Sequence, residues 1–87
     1  MKTIWKYPLD ITDAQVLDIP MYSEPLSVGS QDGKLVLWVL VDPDNDLRPC
    51  TIWIRGTGHD AMGLNRRHFV GTAQMDGFVW HVFWWGG

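Results

Sequence analysis

Hydrophobic positions along this chain come in short blocks. Almost none repeats at the three-to-four-residue spacing of an amphipathic helix. In Cys50–Gly56, Cys50, Ile52 and Ile54 share one face while Thr51, Trp53 and Arg55 share the other, the period of a half-buried strand. Phe78–Trp85 sets Phe78, Trp80, Val82 and Trp84 against Val79, His81, Phe83 and Trp85. Lys34–Val41 is apolar on both sides, with Leu35, Leu37, Val39 and Val41 opposite Val36, Trp38 and Leu40. Such a strand is central and covered twice, and in a chain this short the second cover is expected from another copy. Earlier, Thr3–Tyr7 reads as a strand stopped by Pro8, and Gln15–Ile19 as a short strand ended by Pro20. Thr12 and Gln15 have capping-box spacing, but no amphipathic run of about 10–12 residues follows them. Glu24–Gln31, with Pro25 placing its start at a sheet edge, and Phe69–Met75 complete the set.

Turn signals separate these blocks. Asp32-Gly33 and Asp76-Gly77 each lie between two apolar runs, where a tight hairpin needs positive φ at both central positions. Asp42-Pro43-Asp44-Asn45-Asp46 is a wide turn, with Pro43 fixing φ and the Asx side chains capping amides. Gly56-Thr57-Gly58-His59-Asp60 opens a loop that runs to about Asn65. The fold expected is all-β, a small antiparallel sandwich or barrel of about seven short strands. Residues 1–87 form a single domain in this reading. The expected core holds Ile4, Trp5, Leu35, Leu37, Val39, Ile52, Ile54, Val70, Val79 and Val82.

Composition narrows the function classes. The chain has 87 residues and a net charge of −3, which excludes a general nucleic-acid binder and is too weak for a mimic of DNA. One cysteine allows no internal disulfide and suits a reducing compartment. The longest apolar run, Leu35–Val41, is far short of the ~20 residues a membrane helix needs, and no signal peptide is visible, so a cytoplasmic protein without membrane contact is expected. Six tryptophans exceed what so small a core needs, so some should lie on a binding or self-association face. Together with the two-sided strand Leu35–Val41, Trp84 and Trp85 point to a homo-oligomer, most simply a dimer.

The best candidate site is the loop after Cys50–Gly56. Glycines at 56 and 58 flank Thr57 and let the backbone approach a ligand, and successive amides there could form an anion-binding nest with His59. Arg55 precedes the loop and Arg66 and Arg67 follow it, a local basic patch in an acidic chain suited to phosphate or an acidic partner. The expected binding residues are therefore Arg55, Gly56, Thr57, Gly58, His59, Arg66 and Arg67, with Trp84 and Trp85 as an aromatic surface. His59, His68 and His81 have no metal-ligand spacing, and Cys50 reads as a buried thiol. No metal, cofactor or catalytic residue is expected, and the chain reads as a non-enzyme.

Met1–Leu9, Gln31-Asp32-Gly33-Lys34 leading to Leu37-Trp38 and Leu40–Pro43, Gly56–His59 and Val79–Phe83 give the chain a further signature. In this order the segments resemble a family of short uncharacterised proteins of bacteriophages and prophages, over nearly the whole chain. Asp60–Arg67 and the tail Trp84–Gly87 depart from that pattern. The resemblance implies a phage origin and no established activity. By analogy with other small phage proteins, it implies a binding protein in the host cytoplasm that antagonises bacterial immunity. Its partner would be a host immune effector protein or a nucleotide messenger. A phage structural, assembly or host-regulatory role is the alternative.

Overall fold

The computed structural model describes residues 1–86. In chain order the strands are β1 (Thr3–Leu9), β2 (Ala14–Pro20), β3 (Glu24–Gln31), β4 (Lys34–Val41), β5 (Leu47–Gly56), β6 (Phe69–Met75) and β7 (Phe78–Gly86). They form a three-stranded sheet ordered β1-β4-β3 and a four-stranded sheet ordered β2-β5-β7-β6, all antiparallel. Between the sheets lies one core built from Leu9, Ile19, Leu35, Leu37, Val39, Val41, Cys50, Ile52, Ile54, Ala73, Met75 and Val82. This is the all-β sandwich the alternation implies.

The two Asp-Gly hairpins form as expected. Asp32 and Gly33 have φ of 52° and 75°, and Asp76 and Gly77 have 54° and 79°, the positive values a two-residue turn between twisted strands requires. The turn after β4 is held by Asp42, whose carboxylate accepts from the Asp44 amide at 3.0 Å, and by Asn45, whose side chain donates to Met21 O at 2.9 Å. It carries the chain from one sheet to the other.

Prolines shorten the strands less than the sequence suggests. β1 runs through Pro8 to Leu9, because β1 lies at a sheet edge where a missing amide costs no ladder bond. Likewise β5 begins at Leu47 and passes through Pro49, beyond the point where β7 starts to pair at Cys50. Thr12 and Gln15 cap no helix. The Gln15 side chain instead donates to Asp10 O at 2.8 Å and to the Thr12 hydroxyl at 3.2 Å, tying off the β1–β2 loop.

Three expected core residues are displaced. Ile4 faces outward and is 57% exposed, Trp5 faces the other sheet at its open edge yet stays exposed, and Val79 faces outward, half-buried. Strand register decides Ile4 and Val79, since a period of two puts Ile4 with Leu40 and Val79 with Gln74 on the outer faces, whereas Trp5 is exposed because β1 is an edge strand. The outer row of β4 is covered largely from within. Val36 is only 2% exposed, and the Trp38 ring lies across Gly29, 2.8 Å from where a Cβ would stand.

Candidate functional site

Strand order fixes where the candidate residues go. β5 and β6 both pair antiparallel with β7, which lies between them, so they run parallel to each other. The connection 57–68 must therefore return the chain to the other end of the sheet and cross β7 on the way. It crosses on the outer face. His68, at the end of the 3-10 turn Arg66–His68, meets two outward rings there, Trp53 at 5.9 Å and Trp85 at 5.1 Å between centroids.

This crossing separates the residues that the sequence grouped. Arg55 pairs across from His81 and Gly56 from Trp80, whereas Phe69, next after the 3-10 turn, pairs with Phe83. From His81 to Trp85 is four residues along one strand, about 13 Å at ~3.3 Å per residue. Arg55 and the loop 56–59 thus sit at one end of the outer face, and Arg66, Arg67 and Trp85 at the other.

The first end is committed to internal hydrogen bonds. The Arg55 guanidinium donates to Asp60 O at 2.8 Å, Asp13 O at 2.6 Å and Ile54 O at 3.0 Å. Gly56 N–H donates to His59 Nδ1 at 3.1 Å, Thr57 N–H to Val79 O at 3.2 Å and His59 N–H to Gly56 O at 3.0 Å. Those amides have acceptors within the chain, so no run of free N–H groups spans Gly56 to His59. Gly56 is required for another reason: a Cβ there would stand 2.7 Å from the His59 ring, which packs edge-on to Trp80. Gly58 adopts φ 89°, the left-handed value that lets the turn close. Beside them, His81 bridges the Thr57 hydroxyl at 2.8 Å and the Thr72 hydroxyl at 2.9 Å through its two ring nitrogens.

The second end is built from rings. Trp53, Phe83 and Phe69 lie side by side across β5, β7 and β6, and the last two meet edge-to-face at 5.6 Å. Trp85 follows Phe83 on the same face and is 51% exposed. Trp84 points inward and packs against the core, as adjacent strand residues must alternate. Asn65 caps the 3-10 turn by accepting from the Arg67 amide at 3.1 Å. Arg66 and Arg67 are exposed, and among the described residues neither has an ion-pair partner. A cavity of about 330 Å³ opens here, lined by Arg67, His68, Trp84, Trp85 and Gly86.

His68 is the site residue that sequence reasoning missed. It is only 9% exposed, and neither ring nitrogen has a hydrogen-bond partner among the described residues. A histidine directly after two arginines signals a basic surface, and only the crossing loop turns it under. Among the described residues His59, His68, His81 and Cys50 do not gather into a group of three potential metal ligands, and no helix is long and apolar enough to cross a membrane.

No curated protein and no solved structure matches the chain. Residues 1–85 match a domain of unknown function, DUF7352, and the chain belongs to that family.

Proposed function

We propose that this chain is a binding protein with no chemistry of its own. Its working surface is the aromatic end of the four-stranded sheet's outer face. One observation carries the reading: Trp53, Phe69, Phe83 and Trp85 occupy the solvent side of a sandwich sheet, where alternation ordinarily puts polar residues. Exposed Arg66 and Arg67 stand at the border of these rings, the tryptophan-and-arginine composition from which interface hot spots are made. In the setting the sequence resemblance implies, a phage-encoded antagonist of bacterial immunity, the docked species is a host effector protein.

The test is capture from bacterial lysate on immobilised protein. A partner retained by the wild type should be lost with Phe69→Ser and with the double variant Arg66→Ala/Arg67→Ala. It should be kept by Tyr22→Ser, which removes an exposed ring elsewhere. Equal retention by all four proteins would refute this surface as the binding face.

A further inference from the structure

From the cavity at the end of β7 we infer a second capacity: it takes a small organic anion, a phosphate or carboxylate carried on a flat ring. The inference rests on the reading of this end of the sheet as the binding face and names what one part of it holds. The lining supplies both halves of such a ligand's recognition. Arg67 brings a guanidinium with no ion-pair partner among the described residues, and no carboxylate side chain lines the cavity. In a chain of net charge −3, that is a local reversal of sign. A guanidinium pairs two N–H groups with two oxygens of phosphate or carboxylate, which an ammonium does not.

The other walls are rings. Trp85 offers a half-exposed indole to stack on, Trp84 closes the inner side, and His68 forms the wall beneath the 3-10 turn. Stacking on an indole tolerates many ring types, because every flat aromatic ring presents a π-face. His68 is held between Trp53 and Trp85 with both nitrogens covered, so it gives the cavity a ring wall rather than a bond to the ligand. The volume of about 330 Å³ is at the small end of ligand pockets, which run from about 300 to 1,000 Å³. The recess is open to solvent and suits one ring and one anionic group.

The experiment is titration of the full chain by ¹H–¹⁵N NMR with four probes. Adenosine monophosphate and benzoate carry a ring with phosphate or carboxylate, inorganic phosphate carries charge alone, and adenosine carries the ring alone. Expected are shifts at the Trp85 indole and the Arg67 amide for a ring-bearing anion, with affinity about tenfold or more above either half alone. Phenyl phosphate, added as a fifth probe, shares benzoate's ring, so whichever of those two binds tighter identifies the anionic group. Arg67→Ala and Arg67→Lys should each weaken that binding about tenfold, because the paired geometry is lost in both. Trp85→Ala should reduce it to the level of phosphate alone. Phe69→Ser, which does not line the cavity, should leave it unchanged while abolishing partner capture, so the two readings fail separately. Millimolar adenosine monophosphate and benzoate that shift neither residue would overturn the inference, as would binding that Arg67→Ala leaves intact.

Discussion

At the Arg55 end of the four-stranded sheet's outer face, the Arg55 side chain holds three carbonyls and His81 holds two threonine hydroxyls. At the Trp85 end, about 13 Å away along β7, His68 holds nothing through its nitrogens and Arg66 and Arg67 have no ion-pair partner among the described residues. Both ends carry arginine, histidine and an aromatic neighbour. The difference is whether the arginine and histidine groups are already used; the buried Trp80 Nε1 at the first end also lacks a partner among the described residues. Hydrogen bonds made within the chain are withdrawn from any ligand, since a partner would have to break them before making its own. Residue type therefore marks both ends as candidates, and only the bonding pattern separates scaffold from binding surface.

The largest expected effect breaks the scaffold end. Arg55→Ala removes the side-chain donors from Asp13 O, Asp60 O and Ile54 O, untying the β1–β2 loop and the crossing loop from β5. Charge-assisted bonds contribute about 1.5–3 kcal/mol each where buried, and these are partly solvated, so a total loss of about 1–2 kcal/mol is expected in urea unfolding. Partner capture and anion binding at the Trp85 end should be unchanged in the folded fraction. A variant of wild-type stability that no longer binds would show that Arg55 belongs to the binding surface.

The fold was legible in the sequence more than the contrast between the two ends, and the limits have physical causes. The hairpins at Asp32-Gly33 and Asp76-Gly77 could be read because their turn needs a backbone conformation that few residue pairs adopt easily. Alternation along Phe78–Trp85 puts Trp84 and Trp85 on opposite faces, so the expectation of one aromatic surface from both gives way to Trp85 alone, with Trp84 against the core. Pro8 misled because edge position, a tertiary fact, decides whether a proline ends a strand. Arg55 and Arg66-Arg67 looked like one patch because a loop's two ends are close in sequence. Strand order β5-β7-β6 sends them to opposite ends of the sheet. Nothing in the sequence shows that His68 loses its partners, because its burial arises where the crossing loop meets Trp53 and Trp85.

The next effect is of opposite sign, at the other end. His68→Leu replaces a buried ring whose nitrogens bond to nothing with an apolar side chain of similar bulk. Leaving a buried polar group unsatisfied costs about 1–3 kcal/mol, and the lost ring contacts with Trp53 and Trp85 return part of the gain. A net stabilisation of about 1 kcal/mol is expected, read as a higher urea midpoint at unchanged slope. Destabilisation by a similar amount would mean that His68 is satisfied in solution, and the contrast between the two ends would weaken.

The smallest effect comes from a third unpartnered group, inside the sandwich. Tyr7 lies on β1 opposite Leu37, and its buried hydroxyl has no hydrogen-bond partner among the described residues. Burial pushes its pKa above the ordinary 10.0, and the nearby Cys50 adds in the same direction through charge repulsion. At neutral pH, Tyr7→Phe should lie within about 1 kcal/mol of the wild type, because removing an unsatisfied hydroxyl exposes no new polar atom. The alkaline limb is where the two should part. A folded-state pKa raised above the unfolded value gives a contribution present in full below the unfolded pKa and lost as pH rises through the folded one. Wild-type stability should therefore fall relative to Tyr7→Phe as pH rises above about 10, while the phenylalanine variant lacks that component. Paired urea melts across this range measure the gap directly. A gap that stays constant with pH would show that the Tyr7 hydroxyl finds water or a partner in solution, so an unbonded polar atom at His68 would no longer mark that end as available for a ligand.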